Sequence, residues 1–225
     1  MSQVFASWSG GKDGCLACYR AAASGLKIRY LANMITEDGK RSRTHGVSAH
    51  VLQVQSQAIG IPLVQRRTTW HSYEAKFKNM LRAFRREGIT GGVFGDIDLN
   101  EHREWVERVC QEVEITPHLP LWGERQDEIL KDFIKSGFKA IVVATKADML
   151  GEEWLGREVD LNFINRLAEL RKTKDITLCG EAGEYHTLVL DGPLFQKRME
   201  IVETREAFRD EHWFLDILST ELKAK

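Results

Sequence analysis

Ser9-Gly10-Gly11-Lys12-Asp13-Gly14 places three glycines, a hydroxyl, a lysine and a carboxylate within six residues. Glycines let backbone N–H groups turn toward an anion with no side chain in the way, and Lys12 adds a mobile positive charge. The apolar run Val4-Phe5-Ala6 precedes them and helix formers from Cys15 to Ala23 follow, with Gly25 as a C-terminal cap. The pattern reads strand, glycine turn, helix. In that position the helix N-terminus contributes positive potential, so the chemistry implied is the binding of a phosphate chain. A Walker loop is excluded, because its first glycine would fall at Ala6 and Lys12 is followed by Asp13 instead of Ser or Thr. The dinucleotide fingerprint G-x-G-x-x-G is excluded by the spacing of Gly10, Gly11 and Gly14.

Such a loop needs a sheet behind it. Ile28 to Ile35, Ile61 to Val64, Gly91 to Gly95 and Ile115 to Leu121 read as further strands, the last broken by prolines. Between them lie amphipathic helices, one with Val47, Val51, Val54 and Ala58 on one face, one with Tyr73, Phe77, Leu81 and Phe84, and one with Trp105, Val109 and Val113. Strands alternating with helices imply a parallel sheet covered on both faces. A helix from Asp127 to Lys135 and a buried strand from Lys139 to Ala144 follow. Beyond them the texture changes to a Gly, Glu and Trp-rich stretch, a helix from Leu161 to Leu170, and short β-like runs at 187–190, 198–203 and 213–217. These changes place a domain boundary near 147, with an α/β domain over 1–147 and a smaller α+β domain over 148–225.

The SGGKD turn resembles the signature of the N-type ATP pyrophosphatases, the PP-loop superfamily, in which ATP is cleaved to AMP and pyrophosphate. Gly14 departs from it, since a serine usually ends that signature and its hydroxyl is missing here. Three further motifs, Gly95-Asp96-Ile97 through His102-Arg103 to Trp105, Pro120-Leu121-Trp122-Gly123, and Gly180-Glu181-Ala182-Gly183-Glu184-Tyr185-His186-Thr187-Leu188-Val189-Leu190-Asp191, resemble the diphthine-ammonia ligase family over nearly the whole chain. Ala182 and His186 depart from that family's pattern. The resemblance implies a Rossmann-like doubly wound sheet, and ATP with Mg²⁺ as cofactors. It also implies an activity that adenylates a carboxylate and lets ammonia displace AMP, the acceptor being diphthine on translation elongation factor two. A tRNA-modifying PP-loop enzyme and a nucleotide-binding protein without turnover remain alternatives.

On this reading Ser9, Gly10, Gly11, Lys12, Asp13, Gly14 and His45 hold the nucleotide. Asp96, at the carboxyl end of a strand, binds Mg²⁺; Asp98 reads as a helix cap. His102 and Arg103 face phosphate or the acceptor carboxylate, or a solvated helix face. Glu181, Glu184 and Tyr185 lie in a glycine-rich turn and meet the acceptor or ammonia. Lys12, Asp13, Asp96 and Glu184 are the expected catalytic residues.

Composition narrows the partners. With 32 Lys+Arg against 33 Asp+Glu among 225 residues, the net charge of −1 gives no global field toward nucleic acid or an anionic membrane. Seven basic residues against two glutamates between Arg66 and Glu87 form the one local excess, a solvated helix face or a docking surface for protein or RNA. Cys15 and Cys18 have metal-like spacing but no second pair, and with Cys110 and Cys179 they read as thiols in a reducing compartment. No uninterrupted apolar run suits a membrane span, so a cytoplasmic protein is expected, with an isologous dimer as the default assembly.

Overall fold

The computed structural model describes residues 2–43 and 45–225. Its first strand, β1 (Gln3–Ser7), shows why a parallel sheet forms: Val4 and Ala6 are buried on one face and Phe5 on the other. A strand apolar on both faces must lie inside a layered structure. Helix α1 (Lys12–Ala23), β2 (Lys27–Ile35), α2 (Ala49–Ile59), β3 (Leu63–Arg67), α3 (Tyr73–Arg86), β4 (Gly91–Val93), α4 (Asn100–Glu112) and β5 (Thr116–His118) follow in alternation. The five strands are parallel in the order β3-β2-β1-β4-β5. Phe5, Ala32 and Met34 pack with α3 and α4 on one face, while Val4, Ala6 and Leu31 pack with α1 and α2 on the other. The doubly wound architecture expected from the sequence is the one observed. Strand order reverses around β1, which opens a crevice at the carboxyl ends of β1 and β4, where doubly wound sheets bind ligands.

After α5 (Gln126–Lys135) the chain enters a second sheet. It contains β6 (Lys139–Lys146), β7 (Tyr185–Asp191), β8 (Lys197–Arg209) and β9 (His212–Ala224), antiparallel in the order β7-β6-β9-β8, with α6 (Leu161–Leu170) against it. β6 therefore pairs with the C-terminal strands, although it precedes the boundary expected at 147. The β8–β9 hairpin is far longer than the runs at 198–203 and 213–217 suggest. Most of β8 is exposed, so it carries little hydrophobic periodicity. The turn is made by Asp210 and Glu211, both at positive φ (48° and 60°), in place of the Asn-Gly pair that favours that conformation.

The two sheets share a core, because Val142, Leu188 and Val189 join the cluster that holds Leu16 and Leu52. Polar contacts fix the angle between them. Fully buried Gln55 donates to the carbonyls of Gly10 (3.0 Å) and Val189 (2.7 Å) and accepts from the Trp8 indole (2.9 Å). Asp216 on β9 accepts from Arg41, in the loop after β2, and from Arg209. No helix among the described residues is long and apolar enough to cross a membrane.

Candidate functional site

The glycine turn leaves β1 and enters α1 at Lys12, three residues earlier than helix propensity suggests. Gly10 has φ +81°, a conformation that favours glycine. From β7 the Val189 amide donates to its carbonyl (2.9 Å), and the Thr187 hydroxyl accepts from the Lys12 amide (3.0 Å). One of the loop's amides is thus taken by the second domain, and the amides of Asp13 and Gly14 remain at the helix N-terminus to meet an anion. Gly14 is different in kind from Gly10: an added Cβ would meet only the Ser7 carbonyl at 3.6 Å, so the position does not demand glycine.

Lys12 is not the mobile charge expected. It is 3% exposed, and its ammonium donates to Asp13 Oδ2 (2.8 Å) and to the Cys179 carbonyl and lies 4.9 Å from the centre of the Tyr185 ring. Burial opposes its charge, but Asp13, Tyr185 and Cys179 together outweigh burial and the pKa is pushed up, so the ammonium stays charged. Burial pushes the Asp13 carboxyl up, and Lys12 partly reverses this. Tyr185 serves the same arrangement, its hydroxyl donating to the Leu178 carbonyl (2.6 Å).

The turn after α6 supplies the other lip. Glu184, expected to act on the acceptor, is 1% exposed, and its carboxylate accepts from the amides of Thr177 and Ala182, the latter at 2.9 Å. It closes the turn and does not line the cleft, which corrects its expected role. Glu181 does line the cleft, its amide held by the Thr177 hydroxyl (2.8 Å). Burial first, then Asp13, pushes its carboxyl up to about 7, against the pull of Lys12.

From β4, Gly95 packs so closely on the glycine turn that a Cβ there would lie 2.8 Å from the Gly14 nitrogen. This brings Asp96 to the crevice beside Asp13, with His102 Nδ1 3.3 Å from Asp96 Oδ1. The hydrogen bond to Asp96 raises the His102 pKa despite partial burial. Arg103 turns away: it pairs with Glu107 (2.6 Å) and lies over Trp122, outside the cleft. Asp98 accepts from Gln126 (2.7 Å) and does not cap α4, whose N-cap is Leu99. His45 stacks on His186 with ring centroids 4.3 Å apart. Burial holds both imidazoles neutral, His45 well below the usual range and His186 down to about 4.

Ser9, Lys12, Asp13, Gly14, His45, Asp96, His102, Glu181 and Tyr185 all line one cleft of about 550 Å³. Trp70, Tyr73 and Trp105 form its aromatic wall, and Thr187 and His186 join it from β7. Trp105, His186 and Thr187 fall within the motifs read from sequence, whereas Trp70 and Tyr73 carry no such signature and only the topology brings them to the cleft. Mg²⁺ on a nucleotide needs one or two protein carboxylates beside the phosphates. Asp13 Oδ1, buried without a hydrogen-bond partner, and the neighbouring Asp96 fit that need. Among the described residues no three His, Cys, Asp or Glu side chains converge as a dedicated metal cage.

The basic stretch from Arg66 to Glu87 is partly neutralised by α4 and the residues after it, since Lys78 pairs with Glu112 and Arg85 with Glu114. Cys15 and Cys18 are fully buried in the core, and burial raises both thiols, Cys18 to about 12.

An anion-cradling loop at the carboxyl edge of a doubly wound sheet, closed by a second sheet, defines an α/β nucleotide-binding protein. A family model of the diphthamide synthase N-terminal domain matches residues 2–117, and one of the diphthamide synthase C-terminal domain matches 125–222, which leaves β6 with the C-terminal part. A Rattus norvegicus protein named diphthine–ammonia ligase is 30% identical over 227 residues, covering 91% of this chain and 84% of its own. A Homo sapiens protein of the same name is 29% identical over 226 residues with the same coverage. A solved structure titled as a predicted subunit of tRNA methyltransferase from Methanocaldococcus jannaschii is 17% identical with a TM-score of 0.44, over 86% of this chain and 98% of that one. The chain belongs to the diphthamide synthase family of ATP-dependent ligases.

Proposed function

We propose that the protein activates a carboxylate by transferring AMP to it from ATP, and then lets ammonia displace AMP to leave an amide, in the cytoplasm. The acceptor is diphthine on translation elongation factor two. A carboxylate is a poor electrophile because its two oxygens share a negative charge; joining it to the α-phosphate creates a mixed anhydride with AMP as leaving group. The amides of Asp13 and Gly14 and the Ser9 hydroxyl cradle the phosphates at the helix N-terminus, and Lys12 offsets charge developing on the departing pyrophosphate. Asp13 and Asp96 would hold Mg²⁺, which supplies further charge neutralisation at the phosphates when bound. His102, whose pKa the hydrogen bond to Asp96 raises, faces the acceptor carboxylate.

The observation that carries this reading is that the glycine turn of one family domain and the 180–187 turn of the other open onto the same cleft, so nucleotide and acceptor can meet there. The test is chromatography of the spent nucleotide after incubation with ATP, Mg²⁺, an ammonium salt and a diphthine-bearing elongation factor. AMP and pyrophosphate are expected, in step with amide formed. ADP as the main product would exclude the proposal.

A further inference from the structure

Each acidic side chain around the cleft has at least one hydrogen-bond or ion-pair partner, with one exception. Asp13 pairs with Lys12 at 2.8 Å, Asp96 with His102 at 3.3 Å, Asp98 with Gln126 at 2.7 Å, and Glu184 with two backbone amides. Glu181 has no side-chain hydrogen bond or ion pair among the described residues, yet it lines the cleft together with Asp96. Its backbone is fixed by the Thr177 hydroxyl (2.8 Å) and by a turn in which Gly180 and Gly183 both take positive φ. A half-buried carboxylate carried on a fixed backbone and left without a partner is set to receive a cation.

We infer that Glu181 is the ammonium subsite, a catalytic residue that receives ammonium and removes its proton to release ammonia beside the activated acceptor. The inference rests on the amide-ligase reading. Amines of ordinary basicity are protonated at neutral pH, and the protonated form has no lone pair to donate. One Glu181 oxygen takes a proton from NH₄⁺, leaving NH₃ and a neutral carboxyl. The nitrogen lone pair then forms the C–N bond to the acyl carbon, and the C–O bond to phosphate breaks with its electron pair going to AMP. The surplus proton on nitrogen passes to solvent, as does the one on Glu181 when the site resets.

The surroundings favour this exchange. The charged groups facing Glu181 are Lys12 and Asp13 from α1, Asp96, Asp98 and His102 from the β4–α4 segment. With burial they hold the carboxyl near neutrality, where a base serves best. Glu184, three residues on, lacks this freedom because both its oxygens are occupied.

The test uses the whole protein and its Glu181→Gln variant with ATP, Mg²⁺ and a diphthine-bearing elongation factor. Three rates are compared: acceptor-dependent pyrophosphate exchange, amide formation from ammonium chloride, and hydroxamate formation from hydroxylamine, a weak base already neutral at pH 7. The expected result is at least a tenfold loss with ammonium, and rates within about twofold of wild type for exchange and for hydroxylamine. Equal loss with both amines, or loss of exchange, would give Glu181 to adenylation or Mg²⁺ and overturn the inference while leaving the ligase reading in place. Undiminished activity with ammonium would also overturn it. If the wild-type protein formed no product with either amine, both readings would fall.

Discussion

The turn at residues 9–14 and the turn at 177–187 meet in the same cleft, but they divide their labour differently. In the first, the motif residues face the ligand site: Ser9, Lys12, Asp13 and Gly14 all line it. In the second, Glu184 ties the turn to itself, Tyr185 braces Lys12 and Leu178, and Thr187 holds the Lys12 amide, so that Glu181 is the carboxylate left facing the cleft. Part of a functional motif can therefore consist of the frame that holds another part. The frame here also reaches across a domain boundary, because Lys12 is fixed by residues about 170 positions later in the chain.

Substitutions can separate facing residues from framing ones. The largest expected effect is at Lys12, which belongs to both groups. Lys12→Ala leaves the Asp13 carboxylate without its partner and removes a contact between domains, so chemical denaturation should show a loss of about 3 kcal/mol or more, together with lost ATP affinity. Unchanged stability would mean that the ammonium is not a structural tie.

Glu184→Gln comes next. The amide can accept one of the two backbone N–H bonds but turns a donor toward the other, a loss of about 1–3 kcal/mol. Stability, ATP affinity and amide formation should all fall, whereas Glu181→Gln should leave stability intact. A Glu184→Gln protein of normal stability with a defect confined to amide formation would place Glu184 among the facing residues.

The stacked His45 and His186 tie the loop after β2 to β7, and they give a pH-dependent signature. Both are held neutral by burial, His186 with its pKa lowered from 6.5 to about 4. The unfolded chain binds these protons more readily than the fold, so their contribution is present above about pH 6.5 and is lost as pH falls toward 4. Thermal unfolding between pH 7 and 4 should show a shallower decline in a His45→Gln, His186→Gln double variant than in wild type. Parallel curves would remove the stack from the interface account.

The smallest effect is expected at Gly14. Because its Cβ position is open, Gly14→Ser should fold normally and tighten ATP binding by up to about 1 kcal/mol through one added hydroxyl bond. A titration calorimetry experiment with ATP and Mg²⁺ measures it, and a weakened affinity would show that the backbone alone shapes that corner.

The parallel sheet was legible in sequence because buried strands and amphipathic helices leave strong periodicities, and the glycine turn was legible because its position between strand and helix limits its chemistry. The β8–β9 hairpin was not, since its exposed face alternates weakly and its turn uses Asp210 and Glu211. Asp96 and Glu181 could be picked out as carboxylates near glycines. The frame roles of Glu184, Tyr185 and Thr187 could not, because residue type does not record which oxygen is already bonded. Arg103 shows the converse: its helix position suited an anion, but Glu107 and Trp122 draw the guanidinium away.

Carboxylate activation by AMP transfer in the shared cleft is the central step, and a heavy-oxygen label tests it directly. Diphthine-bearing elongation factor labelled in the side-chain carboxylate is incubated with the protein, ATP, Mg²⁺ and ammonium, and the products are weighed by mass spectrometry. Adenylation requires one labelled oxygen to leave with AMP and the other to stay in the amide. Label in inorganic phosphate with ADP as co-product, or amide formed with unlabelled AMP, would contradict it.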